Sequence, residues 1–155
     1  MRTICTIEAR MQSTRLPGKV LKPVMGRPML ALMIERLKLA PELDEIVIAT
    51  TVHSSCDAIQ ELADSLGVGC CRGSEEDVLL RVLEAGRAFE AELMVQTTGD
   101  CPLIDPATIG RVIRLFHASD CDFATNVLTA DLVPLPPENN PFPSARTYPV
   151  GMDVR

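Results

Sequence analysis

The feature that most constrains this chain is a regular alternation of short apolar or β-branched runs with amphipathic stretches of ten or more residues. Thr3 to Glu8 alternates and reads as a first strand, while Glu45 to Thr50 (EIVIAT) and Ala91 to Thr97 (AELMVQT) are apolar runs of strand length. Val68 to Cys71 is a shorter run of the same kind. Between the first two, Met29, Leu30, Met33 and Leu37 form an apolar stripe behind Pro28, in a helix expected to reach Ala40 before Pro41. Ala58, Ile59, Leu62, Ala63 and Leu66 recur at helical spacing after a cap at Ser54 or Ser55, and Gly67 ends that helix. Ser74-Glu75-Glu76-Asp77 has the capping-box spacing ahead of Val78, Leu79, Val82 and Leu83. Asp105-Pro106 supplies a cap and first turn for a helix with Ile109, Val112, Ile113 and Phe116 inward. Strands separated by helices of this length pair in parallel through right-handed crossovers. The expected fold is α/β, a three-layer α/β/α sandwich on a mostly parallel sheet. Further strands are expected at Cys121 to Thr125 and from Val150 to Arg155, with a Pro-rich loop (Pro134 to Pro149) between them.

Such sheets bind ligands beyond the carboxyl ends of their strands. Three loops should therefore meet in space: Ala9 to Lys19, Arg72 to Asp77, and Gly99 to Asp105. At 155 residues and 46% hydrophobic content the chain can bury one sizeable core, so one domain over residues 1–155 is expected. Aromatic residues make up 3% and Trp is absent, so Leu, Ile, Val, Met and Ala must fill that core. No apolar run approaches the roughly 18 residues of a membrane span. The N-terminus enters strand alternation at once and reaches Glu8 and Arg10 without a signal peptide's apolar stretch, which makes a cytoplasmic location the expectation. The six cysteines form no C-x-x-C pair, and only His53 and His117 could complete a zinc site, so they read as reduced structural thiols.

The net charge of −6 argues against a general nucleic-acid binder. Its distribution is more informative. Between Glu8 and Glu35 no acidic residue occurs, while Arg10, Arg15, Lys19, Lys22 and Arg27 all fall in that window. An acidic chain with one local basic segment suggests a small polyanionic ligand; a solvated basic face is the plainer alternative.

The first loop reads Glu8-Ala9-Arg10-Met11-Gln12-Ser13-Thr14-Arg15-Leu16-Pro17-Gly18-Lys19. A triphosphate needs fixed cations and backbone N–H groups aimed at its oxygens. Arg10, Arg15 and Lys19 supply the cations directly after a buried strand, and Ser13, Thr14 and Gly18 allow close backbone approach. Neither a Walker loop nor a dinucleotide fingerprint is present.

At these residues the chain closely resembles the cytidylyltransferase family, which includes acylneuraminate and 3-deoxy-manno-octulosonate cytidylyltransferases, and in particular its spore-coat polysaccharide biosynthesis F-type branch. The A-R-x-x-S-x-R-L-P-G-K signature is joined, in order, by Arg72-Gly73-Ser74-Glu75-Glu76-Asp77-Val78-Leu79-Leu80-Arg81, by Thr98-Gly99-Asp100-Cys101-Pro102-Leu103-Ile104-Asp105, and by Tyr148-Pro149-Val150-Gly151-Met152-Asp153-Val154. The resemblance implies a GT-A-like fold and transfer of CMP from CTP to an acidic, nonulosonic-type sugar, with release of pyrophosphate. It implies Mg²⁺ as cofactor, held by Asp100 with Asp153 as a second ligand. Arg10, Arg15 and Lys19 would hold the phosphates, Ala9 and Ser13 would lie along the nucleotide, and Arg72 and Ser74 would contact the cytosine. The partners so implied are CTP and the sugar, with a homodimer allowed and neither nucleic acid nor membrane. The family domain continues past Arg155, so the C-terminal part is expected to be missing.

Bland readings stand beside these. Asp100 could be a turn residue, Asp77 and Asp105 are better read as helix caps, and His53 and His117 as surface residues. Three positions depart from the branch: Glu8 replaces Gln, Gln12 replaces Gly, and Arg155 replaces an acid. Glu8 is expected to repel CTP unless a cation offsets it, and Gln12 to restrict the loop if left-handed backbone is needed there. Those departures and the short C-terminus favour an alternative, a nucleotide-binding module without catalysis. A sugar-1-phosphate nucleotidyltransferase for another base is disfavoured, because its Gly-rich loop is replaced by Ala9-Arg10-Met11-Gln12-Ser13.

Overall fold

The computed structural model describes residues 1–126 and the backbone of a two-residue strand, Met152–Asp153. The expected Pro-rich loop, Arg155 and most of the Tyr148 to Val154 block lie outside the described residues. The elements in chain order are β1 (Thr3–Glu8), β2 (Pro23–Val24), β3 (Arg27–Pro28), α1 (Met29–Leu37), β4 (Glu45–Thr51), α2 (Asp57–Leu66), β5 (Gly69–Gly73), α3 (Val78–Ala88), β6 (Leu93–Thr98), α4 (Pro106–Ala118) and β7 (Met152–Asp153). The main sheet has the order β5-β4-β1-β6-β7, with β5, β4, β1 and β6 parallel and β7 antiparallel on β6.

Strand alternation divides the core into two layers. Cys5, Ile7, Ile46, Ile48, Leu93 and Val95 face the side covered by α1, α2 and α4, where Leu30, Met33, Ile59, Ile109, Val112 and Phe116 pack. Ile4, Val47, Ala49 and Met94 face the other side and meet Val82 and Ala85 of α3. The α/β/α sandwich read from the periodicity is therefore present. On the α3 side the packing is tight: a Cβ at Gly86 would lie 2.6 Å from the Met94 sulfur. Only a residue without a side chain lets α3 settle that close to β6.

Local differences from the sequence reading have simple causes. Pro28 pairs with Pro23 in a small hairpin and stands at the N-cap of α1 instead of in its first turn, with Met25 and Gly26 forming the positive-φ tip. α1 stops at Leu37, because Lys38, Leu39 and Ala40 tighten into turns before Pro41. The α2 entrance is capped by the His53 ring, whose Nδ1 accepts the Ser55 N–H, through a 3₁₀ turn at Ser54–Cys56. The two expected caps on α3 and α4 do form: Asp77 accepts the Leu80 N–H, and Asp105 accepts those of Ala107 and Thr108. Cys121 to Thr125 does not form a strand; Cys121 and Ala124 instead fill the end of the α4-side core. Among the described residues none of the six cysteines forms a disulfide, and no helix is long and apolar enough to cross a membrane.

Candidate active site

β1 has β4 on one side and β6 on the other, so the direction of winding reverses at the β1–β6 seam. Open α/β sheets place their ligand crevice at such a switch point. The loops after β1 and β6 diverge here, and a cavity of about 580 Å³ opens between them and the start of α3. Its neck is held by the Gly99 N–H, which donates to the Glu8 carbonyl at 2.8 Å. A Cβ on Gly99 would sit 2.9 Å from that carbonyl oxygen and 3.2 Å from the Ala9 Cβ, so close approach of the two loops demands glycine.

The first wall of the cavity is the loop after β1. Ala9, Arg10, Ser13, Arg15 and Lys19 all line it. The loop is folded by its own backbone: the Met11 carbonyl accepts from both Ser13 (3.0 Å) and Gly18 (2.9 Å). Arg15 is exposed, and Arg10 is exposed with a long contact of 3.4 Å to the Glu75 carbonyl. Gln12 does not take a left-handed conformation, so its replacement of glycine does not strain the backbone. Its carboxamide instead turns inward to the Cys56 thiol.

Asp100 enters from the loop after β6. Its Oδ2 meets the Lys19 Nζ at 2.6 Å and its Oδ1 accepts from the Thr98 hydroxyl at 2.7 Å. Partial burial alone would raise the Asp100 carboxyl, but the Lys19 and Thr98 hydrogen bonds and the Lys19 charge outweigh it and hold the group below the usual carboxylate range. Asp100 thus stands at the cavity wall as a carboxylate paired with Lys19.

The second wall lies toward α3 and is formed by Glu8, Val78, Arg81 and Thr98. Arg81 is only 2% exposed although it is a cation. Its Nε donates to the Ala49 carbonyl at 3.3 Å and its Nη1 to the Ser74 carbonyl. Burial pushes the guanidinium down from its ordinary value, and the Glu8 charge opposes that shift. Glu8 itself accepts a hydrogen bond from the Gln96 carboxamide on the same face of the sheet. The carboxylate that departs from the branch pattern therefore lies toward Arg81. The loop after β1 reaches the opposite wall.

Two expected residues are not brought to the cavity wall. Arg72 directs its Nε to the Thr51 carbonyl (3.0 Å), its Nη2 to the His53 carbonyl (2.9 Å) and its Nη1 to Asp57 (2.7 Å), which ties the sheet edge to the start of α2. Ser74 accepts the Asp77 N–H on its hydroxyl and Arg81 on its carbonyl. Asp153 is also remote from Asp100. Its backbone is paired opposite Leu93, at the start of β6, about 17 Å of strand before the carboxyl end that carries Asp100. The register therefore does not assemble the expected carboxylate pair; the Asp153 side chain lies outside the described residues. Among those residues there is no cluster of three metal-ligating side chains. Asp100 still suits Mg²⁺, which takes one or two carboxylates and keeps phosphate oxygens and waters for its other positions.

The family model described as Cytidylyltransferase matches residues 4–134. The spore coat polysaccharide biosynthesis protein SpsF of Bacillus subtilis is 34% identical over 130 residues, covering 81% of this chain and 54% of that protein. A 3-deoxy-manno-octulosonate cytidylyltransferase of Zea mays is 35% identical over 139 residues, covering 81% and 43%. A solved cytidylyltransferase structure from Leptospira borgpetersenii serovar Hardjo-bovis aligns with a TM-score of 0.75 at 36% identity, over 79% of this chain and 52% of that one. The chain spans about half the length of the curated relatives it matches. The match over residues 4–134 shows that the chain belongs to the cytidylyltransferase family.

Proposed function

We propose that this chain carries the nucleotide site of an enzyme that transfers CMP from CTP to a hydroxyl of an acidic, nonulosonic-type sugar in surface-polysaccharide synthesis. The observation that carries the reading is the cavity wall on which Arg10, Arg15 and Lys19 converge with Asp100. In the reaction the sugar hydroxyl oxygen attacks the α-phosphorus in line, its proton goes to solvent, and the bond to the pyrophosphate oxygen breaks. Such a transfer is governed by positioning and charge neutralisation. Arg10, Arg15 and Lys19 would bind the β- and γ-phosphates and stabilise the charge that builds on the leaving pyrophosphate. Asp100 would hold Mg²⁺, which supplies further neutralisation of the phosphate oxygens when bound. The Lys19–Asp100 ion pair holds both side chains at the wall until a metal–triphosphate offers each a partner of its own. The acidic sugar is supported by the activity for which the Zea mays relative is named, and the polysaccharide role by the name of the Bacillus subtilis one.

A second reading, a nucleotide-binding module without turnover, is favoured by the register of β7, which sets the Asp153 backbone opposite Leu93 and not beside Asp100. One experiment separates the two. Pyrophosphate release is measured on the full chain with each of the four nucleoside triphosphates, Mg²⁺ and a panel of 2-keto-3-deoxy sugar acids. Turnover with CTP and one such acid is expected. Tight CTP binding without pyrophosphate release would select the second reading, and no nucleotide binding would exclude both.

A further inference from the structure

The proposed phosphate contacts lie on the loop after β1, while the α3 wall of the cavity carries a buried cation held by two backbone carbonyls. Arg81 is 2% exposed, borders the cavity, and keeps its Nη2 without an acceptor from the described residues after Nε and Nη1 have bonded Ala49 and Ser74. A guanidinium with both carbonyl partners fixed is a rigid, oriented donor. Its location is set by the sheet. Ala49, which accepts its Nε, is the β4 residue in register with Glu8 of β1, about 4.8 Å away across the strand pair. Glu8 also borders the cavity, and one of its oxygens is engaged by Gln96, which leaves the other as an acceptor. No ion pair joins Glu8 and Arg81 among the described residues, so neither group is closed off by the other. The half-buried Val78 completes an apolar flank beside them.

A fixed donor next to an acceptor-only carboxylate is the complement of an edge that presents acceptors next to an amino group. Cytosine has that edge: O2 and N3 accept, and the exocyclic N4 donates. Uracil has the reverse at two of the three positions, N3–H donating and O4 accepting. It would set a donor against the guanidinium and an oxygen against the carboxylate. A buried site built to hydrogen-bond one polar edge rejects the analogue that leaves its groups unpaired. We propose that Arg81 and Glu8 are the pyrimidine-reading pair of the cavity, selecting cytosine over uracil, with Gln96 positioning Glu8. The assignment rests on the CTP reading above. It moves recognition of the base from Arg72, whose donors are committed to Thr51, His53 and Asp57, onto α3.

The test is calorimetric binding of CTP, UTP and inorganic triphosphate, each with Mg²⁺, to the full chain and to Arg81→Lys and Glu8→Ala. Lysine keeps the charge but not the fork, and Glu8→Ala removes the acceptor without touching the Arg81 carbonyl partners. Both variants are expected to lose at least tenfold of the CTP-over-UTP preference while binding inorganic triphosphate within about twofold of the parent. Should Arg81→Lys fail to fold, as its melting curve would show, Glu8→Ala carries the test alone. A parent preference that survives in the folded variants, or a loss of triphosphate affinity equal to the loss for CTP, overturns the proposal and leaves the CTP reading standing. A parent chain that binds CTP and UTP equally removes the CTP reading itself and the proposal with it.

Discussion

Replacing Asp100 by Asn separates what this residue does for the fold from what it does for the ligand. The carboxylate makes a 2.6 Å ion pair with Lys19, and the side chains of the two are 30% and 33% exposed for Lys19 and Asp100. That exposure puts the pair nearer the surface class than the buried one, so loss of the charge should destabilise by about 1 kcal/mol at neutral pH. The Thr98 hydroxyl can still donate to the amide oxygen, which keeps the loss small. The pH dependence follows from the lowered carboxyl. A group with a depressed folded pKa stabilises above its unfolded value, about 3.9, and its contribution fades as pH falls through the lower folded value. Urea melts of parent and variant should differ by a constant amount from pH 7 to pH 5, and the gap should close below about pH 4. Turnover with Mg²⁺ and CTP, in contrast, should be abolished at every pH. A stability gap that persists unchanged to pH 2 would refute the ion-pair reasoning. Turnover near the parent level would refute the metal role.

Two further substitutions or probes test the geometry. Gly99→Ala should destabilise by roughly 1–3 kcal/mol, because the added Cβ would meet the Glu8 carbonyl at 2.9 Å and cannot be relieved by a side-chain rotation. A melting midpoint equal to the parent's would mean that the two loops approach less closely than described. Burial pushes the Cys5 thiol up to about 12, so alkylation at pH 8 should spare Cys5 until the chain is unfolded, as peptide mapping would read out.

Much of this molecule was written in local patterns. β1 and the caps at Asp77 and Asp105 could be read from alternation and turn chemistry because each depends on neighbours within a few residues. The basic wall of the cavity was equally legible, since Arg10, Arg15 and Lys19 sit on one continuous segment. What depended on pairing across the sheet was not. Arg72 and Arg81 belong to one sequence block, and the motif match by itself does not tell which arginine meets the cavity. The difference arises because Arg72 lies on the edge strand β5, within reach of Thr51, His53 and Asp57, while Arg81 lies on the face of α3 that crosses β4 and β1. A signal did exist: Arg81 falls three residues after Val78 and four before Ala85, on the helix face that also carries Val82, where a cation has no place unless it is given partners. The antiparallel register that sets Asp153 against Leu93 had no local signature at all. The hairpin at Pro23–Val24 and Arg27–Pro28 was hidden because its strands are only two residues long.

The glycine that seats α3 against β6 has a wider effect than packing. With Gly86 in contact with Met94, and with Val82 and Ala85 resting on the same layer, the height of α3 above the sheet is fixed by core side chains one turn away from Arg81. Protein interiors are close-packed, so an added methylene is accommodated by moving a neighbour. Here the first atom met is the sulfur of the fully buried Met94, so the added bulk presses between β6 and the helix that bears the guanidinium. Discrimination at the cavity and rigidity of this half of the core are therefore a single mechanical quantity. A change that loosens or lifts α3 alters both together, and the two cannot be tuned one at a time from this face.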